Sequence, residues 1–205
     1  MQRARSKRKS KGILLRTVLI FLCSYLFFLI LWIQVKNYYG YAVTVVASEL
    51  VAVLRDVRFE EMEQKEDVIQ GTFSRPLPGN KADVLIDIPI KTSSYSFNTP
   101  LTFAIMAALF PFTRRKGRAY AEALFILVGV HLLYVLSLEA NSLTTVFIER
   151  GLDVVGKPRL FVYQFLWEFT NNMVIRFEPF LIGIYIFIRF RKLDPINAKH
   201  PRPNP

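Results

Sequence analysis

Nineteen consecutive residues, Thr17 to Val35, carry no charge, and they are closed by Arg16 on one side and Lys36 on the other. As a helix such a run rises about 28 Å, close to the ~30 Å apolar core of a bilayer. Before it stands a leader of seven basic residues (Arg3, Arg5, Lys7, Arg8, Lys9, Lys11 and Arg16) with no acid. A basic leader also opens signal peptides, but their apolar stretch is usually only about 7–15 residues. No small-x-small cleavage site follows closely either, and Val45-Val46-Ala47 is a poor match. The segment reads as a retained transmembrane helix.

Composition points the same way. Apolar residues make up 52% of the 205-residue chain, with 18 Phe against 9 Gly, yet 21% is charged. The two kinds separate into blocks rather than mixing along the chain. This excludes a disordered tail and a collagen-like repeat, and a single cysteine excludes a disulfide scaffold. The net charge of +11 raises nucleic acid as a partner. Its basic residues, however, cluster within a few residues of membrane entry points, where anionic lipid attracts each by about 1 kcal/mol. Base-reading side chains on a folded basic face are missing, so no nucleic-acid role is expected.

Three further apolar segments follow. The second, from Thr99 to about Phe112, is short and carries Pro111 near its end. The third, Ala119 to Leu138, is interrupted only by Glu122 and His131. The fourth pattern, Leu160 to Phe190, is too long for one straight span. Its first part lies at the interface and Met173 to Phe190 crosses. The loop between the second and third segments holds Arg114, Arg115, Lys116 and Arg118, and the C-terminal flank holds Arg189, Arg191, Lys192, Lys199 and Arg202 against Asp194 alone. Lys36 to Pro100 has seven basic and nine acidic residues, and Glu139 to Leu160 three of each. Four spans with both termini in the cytoplasm satisfy every flank.

The expected fold class is therefore a membrane all-α protein with a small β insertion: four transmembrane helices, N-in/C-in, plus an extracytoplasmic hairpin-like element. The expected division is a cytoplasmic tail (1–16), span 1 (17–35), an outer helix (36–55), the β element (56–98), span 2 (99–113), a cytoplasmic loop (114–118), span 3 (119–138), an outer loop (139–160), an interfacial helix with span 4 (161–190) and a second tail (191–205). In the outer helix Val43, Val46, Leu50 and Val53 recur at helical spacing after the tyrosines Tyr38, Tyr39 and Tyr41. That fits either a helix in the outer interface or a bent continuation of the first span, with Gly40 a hinge or merely a weak point. In the β element Val84, Ile86, Ile88 and Ile90 share one parity and Asp83, Asp87 and Lys91 the other, the mark of a half-buried strand. Val68-Ile69-Gln70 and Thr72-Phe73 suggest a second strand, and Pro76-Leu77-Pro78-Gly79-Asn80 a turn. Two or three strands hold no core alone, so this element must rest on other parts or on a partner. The proline-rich tail Pro195 to Pro205 is expected to be disordered.

Charged groups inside spans are costly and mark candidate sites. Gln164, Glu168, Asn172 and Arg176 stand four apart, on one helix face, with Asn171 beside it; Glu178-Pro179 follows and should kink the helix. Counting about 19 Å up from Arg189 to Arg176, and equally from Arg118 to His131, puts these groups at one level. The expectation is a polar layer of His131, Arg176 and Glu178 in the outer leaflet, with Glu168, Asn171 and Asn172 just above. Either Arg176 reaches the outer headgroups and pairs with Glu168 or Glu178 while His131 hydrogen-bonds a neighbouring helix, or the layer opens outward to a peptide, a lipid head group or a partner's charge, or to the lipid or small ligand of a binding or transport component. Proton-relay catalysis by His131 with Glu178 is a third reading. Chemistry is otherwise sparse. Cys23 lies in the inner half of span 1 with no base beside it, His131 and His200 cannot form a metal pair, and no zinc, phosphate-loop or serine-elbow motif is present. No enzyme, cofactor or metal is expected.

The run Tyr95-Ser96-Phe97-Asn98-Thr99-Pro100-Leu101, the later Tyr163-Gln164, Pro179 in the last span and the basic exit Arg189-Phe190-Arg191 resemble the exosortase H-associated membrane protein family. The likeness extends over most of the chain in layout, and the Asn- and charge-rich stretch Glu168 to Glu178 departs from it. It implies a non-catalytic accessory protein of the bacterial cytoplasmic membrane, serving a system that cleaves C-terminal sorting signals from exported proteins, with membrane lipid and an exosortase-like peptidase as partners. Exosortases use a Cys and an Arg at the outer face of a larger bundle. This chain has too few spans, and Cys23 is at the wrong depth, to be the peptidase.

Overall fold

The computed structural model describes residues 2–76, 83–151 and 157–191. The expected turn at 76–80, beyond Pro76, and the proline-rich tail lie outside the described residues. The first helix, α1 (Gln2–Arg55), continues without a break past Lys36 to the start of the sheet. Strands β1 (Arg58–Lys65), β2 (Val68–Pro76) and β3 (Asp83–Lys91) form an antiparallel sheet in the order β1-β2-β3. A short helix α2 (Thr92–Ser96) leads into α3 (Thr99–Leu109), which a 3₁₀ turn, Phe110–Phe112, closes. Helix α4 (Lys116–Glu149) returns, and α5 (Lys157–Phe169) joins α6 (Ile175–Phe190) through a π-helical turn, Thr170–Val174.

The chain is thus mostly helical with a three-stranded sheet, and among the described residues two helices, Leu14–Arg55 and Lys116–Glu149, are long and apolar enough to cross a bilayer. The other two expected spans are shorter elements. With 11 and 16 residues, α3 and α6 rise about 16 and 24 Å. Pro111 ends the α-helical ladder of α3, while the run of α6 is extended only by passing through the wide turn into α5.

The sheet obeys the period-two pattern where it is strongest. Ile86, Ile88 and Ile90 of β3 and Ile69 and Phe73 of β2 are buried, while Asp83, Leu85, Asp87 and Lys91 face outward. On the outer face Thr72 donates to Asp87 across the ladder, 2.8 Å. Strand β1 was not read from the sequence. A register shift between Phe59 and Glu61 inserts Glu60 into the pairing. Phe59 and Met62, which are both half-buried, therefore share a face although they are three apart, and the alternation is lost. The Glu60 carboxylate accepts a hydrogen bond from Ser74.

The inward face of the sheet packs on α1 and α4 in one core with Val43, Ala47, Val51, Val135, Leu143 and Phe147. A second core, toward the other end, joins Met106 of α3, Ala123 and Leu127 of α4, and Ile182 and Ile186 of α6. Helices α1 and α4 run in the same direction, pinned twice: Tyr39 meets His131 at 2.6 Å, and Ser48 donates to the fully buried Glu139 at 2.5 Å. Gly40 is where α2 meets α1 most closely. A Cβ there would stand 2.4 Å from Thr92 Cγ2, so its role is close approach rather than a hinge. The tip of the β1–β2 hairpin is tied down next to it: Lys36 Nζ reaches Asp67 Oδ1 at 2.9 Å, and Ser93 donates to Oδ2 at 2.5 Å.

Two outcomes test this packing. Gly40→Ala should destabilise by about 1–3 kcal/mol through overpacking, read as a lower thermal midpoint in detergent, whereas Gly129→Ala, with open space around the added carbon, should be neutral or slightly stabilising. Burial pushes the Asp67 carboxyl up, but the hydrogen bonds from Ser93 and Lys36 and the Lys36 charge outweigh it and hold the group below the ordinary aspartate range. A folded value below the unfolded one stabilises above about pH 4 and is lost as pH falls through and below that range. Thermal midpoints measured between pH 6 and pH 3 should therefore fall less steeply for Asp67→Asn than for the parent chain.

Candidate functional site

Within the helices the polar groups must be satisfied by one another, since lipid offers no hydrogen bonds. The centre of that solution is His131. It is fully buried, as is Glu178 at 1% exposure. His131 Nε2 stands 3.2 Å from Glu178 Oε2, and Tyr39 Oη stands 2.6 Å from Nδ1. A neutral ring satisfies both contacts, with Nε2–H donating to the carboxylate and Nδ1 accepting from the tyrosine. The Thr102 hydroxyl sits between two acceptors, the Asn98 carbonyl at 3.3 Å and Glu178 Oε1 at 3.4 Å. Around this chain the rings of Trp32, Tyr39, His131, Tyr95, Tyr134 and Trp167 follow one another at centroid spacings of 5.1 to 5.6 Å. They link α1, α2, α4 and α5 at the level where the hairpin tip meets Lys36.

Next to Glu178 the backbone poses its own problem. Pro179 has no N–H, so the Ile175 carbonyl, four residues earlier, loses its helical donor. Asn98 supplies the replacement: its side-chain Nδ2 donates to the Ile175 carbonyl at 2.6 Å, with both residues buried. Asn98 immediately precedes α3, so the N-terminus of that helix is tied to the proline site of α6. Close approach elsewhere along the pair is permitted by Gly183, where a Cβ would come within 2.7 Å of Ile105 Cγ2.

The structure divides the expected polar layer in two. His131 and Glu178 come together in the interior, and Tyr39, Asn98 and Thr102 join them. Gln164, Glu168 and Arg176 lie instead on the exposed surface of the α5–α6 run, with Asn171 and Asn172 half-buried. Glu168 accepts from Asn172 at 2.7 Å, not from Arg176, and among the described residues Arg176 has no hydrogen-bond or ion-pair partner. The partnership of Asn98 was hidden because a proline announces an orphaned carbonyl but not its remote donor. Tyr39 was visible only as one of three clustered tyrosines.

Beside the polar strip runs an apolar one. Phe161, Phe165, Phe169, Met173 and Phe177 are all exposed, and the first three rings stack at 6.1 and 5.8 Å. In an α-helix a four-residue spacing drifts by about 40° per step. The wider turn at Thr170–Val174 takes back part of this drift and keeps both strips on one side of the run.

Cys23 is exposed on α1, 16 residues before Tyr39, which is about 24 Å along the axis. Among the described residues no three potential metal ligands cluster.

Long apolar helices, a sheet seated at one end of them and a buried polar junction between them define a helical membrane protein. The sequence profile of the exosortase H-associated membrane protein family matches residues 8–190, and the chain belongs to that family. No curated protein and no solved structure matches it.

The role of Asn98 is testable by a double-mutant cycle. Asn98→Ala should cost about 1–3 kcal/mol by orphaning a buried carbonyl. Pro179→Ala restores a backbone N–H at that place, so the same Asn98 substitution in the Pro179→Ala background should cost clearly less, as read from unfolding in detergent. Equal costs in both backgrounds would remove the link.

Proposed function

We propose that this protein is a non-catalytic accessory subunit of an exosortase-type sorting system in the bacterial cytoplasmic membrane, which docks to a membrane peptidase or its substrate through the exposed face of the α5–α6 run. The proposal takes the topology as four spans with both termini cytoplasmic. It rests on family membership and, for the docking face, on one observation: Arg176 is exposed and unpaired among the described residues, about 19 Å up from Arg189 within a ~30 Å apolar layer. An arginine facing lipid near the bilayer centre costs about 2.5–3.5 kcal/mol. A partner segment offering a carboxylate or a free backbone carbonyl relieves this cost. The flanking Phe161–Phe165–Phe169 stack supplies rigid apolar contact, and Gln164, Glu168 and Asn172 supply polar contacts above it. His131 and Glu178 act as positioning groups that hold α6 in place. Their complete burial argues against an outward-open ligand pocket at that layer.

The test is a mild-detergent pull-down of the tagged chain from its native membrane, with mass spectrometry of what accompanies it. A membrane peptidase should come down in stoichiometric amount, fall roughly tenfold with Arg176→Ala, and be partly restored by Arg176→Lys. A monomer carrying lipid alone would overturn the docking role.

A further inference from the structure

At the opposite end of the bundle two basic segments, far apart in sequence, are sewn together. The Arg114 amide donates to the Phe190 carbonyl at 2.7 Å, and Thr113 and Arg191 form an antiparallel bridge. This brings the loop carrying Arg114, Arg115, Lys116 and Arg118 against the exit of α6 carrying Arg189 and Arg191. One carboxylate lies among them. Glu122 accepts from Arg118 Nε at 2.9 Å, from the Tyr185 hydroxyl at 3.0 Å, and pairs with Arg189 Nε at 3.2 Å. Arg189 Nη1 also donates to Tyr185 Oη at 2.5 Å.

This lattice pins α4 to α6, but it does not use up the cations. A guanidinium has five N–H donors; Arg118 uses one here and Arg189 uses two. Their side chains remain 58% and 47% exposed. The same four polar residues line a groove of 480 Å³ together with Ala121, Phe125 and Ile126. Phe125 is 81% exposed. A groove with cations at one end and an apolar lining about one to two helical turns further along α4 matches a molecule with an anionic head and a hydrocarbon tail.

We propose that the groove between α4 and α6 holds one anionic phospholipid of the cytoplasmic leaflet, with its phosphate on Arg118 and Arg189 and an acyl chain along Ala121, Phe125 and Ile126. Glu122 sets the strength of this site. By engaging both arginines it lowers their attraction for the phosphate and keeps them in place when no lipid is bound. The inference is independent of the docking face, which lies toward the other end of the bundle.

Native mass spectrometry of the full-length chain, released from nanodiscs of phosphatidylcholine with a minor share of phosphatidylglycerol, tests the site. One retained phosphatidylglycerol and no retained phosphatidylcholine are expected. Arg118→Gln with Arg189→Gln should reduce its occupancy roughly tenfold, and Glu122→Gln should raise it. Because the arginine variants also loosen the pin, Ala121→Trp provides a second test. It fills the groove with every charge in place and should abolish retention, while Arg16→Gln, a cytoplasmic cation on α1, should leave retention unchanged. Equal retention of phosphatidylcholine, or retention untouched by Ala121→Trp, would overturn the proposal. So would displacement of the lipid by millimolar inorganic phosphate, which would make the site one for a free anion.

Discussion

Four helices converge on one imidazole. His131 of α4 is held by Tyr39 from α1 and by Glu178 from α6, while Thr102 of α3 lies against the same carboxylate. In a low-dielectric interior each of these groups is tolerated only because the others are present, since a buried polar group left without its hydrogen-bond partner costs about 1–3 kcal/mol. The junction therefore acts less as a single strong bond than as a mutual condition on where the helices stand. Tyr39 sets how far α1 projects beyond the bundle, and with it the height at which the sheet is seated. Glu178 brings Pro179 against the start of α3, where Asn98 can complete the broken ladder.

Parts of this were legible in the sequence and parts were not, for physical reasons. The first and third apolar helices were readable because they are long runs with almost no charge, and β3 because its isoleucines alternate without interruption. The shared level of His131 and Glu178 followed from helical rise alone, counted from the basic exits. By contrast β1 was obscured by the extra residue Glu60, which breaks the alternation that identifies strands. The short lengths of α3 and α6 reflect the 3₁₀ and π turns that bound them, and hydropathy along a chain does not register such turns.

The candidate site shows the same divide. Spacing alone placed Gln164, Glu168, Asn172 and Arg176 on one face, and they share it. What spacing does not show is which way that face points. Residues at equal depth can stand on opposite sides of a helix, so Arg176 and Glu178, two positions apart, end respectively on the surface and in the core. Charge counting likewise pointed to one end of the bundle as rich in cations. It gave no sign that Thr113 and Arg191 would join two basic segments into one patch, because that contact is made through backbone atoms.

The π turn at Thr170–Val174 also makes this stretch tolerant of a single-residue loss. A wide turn of this kind amounts to one residue more than the α-helical path requires. Losing that residue would let the ladder close as ordinary α-helix with α5 and α6 keeping their relative aim, because the surplus residue is all that the turn takes up. Trp167 would stay against Tyr134. The same deletion in the middle of α5, where no wide turn absorbs it, would instead swing everything before it by about 100° about the axis.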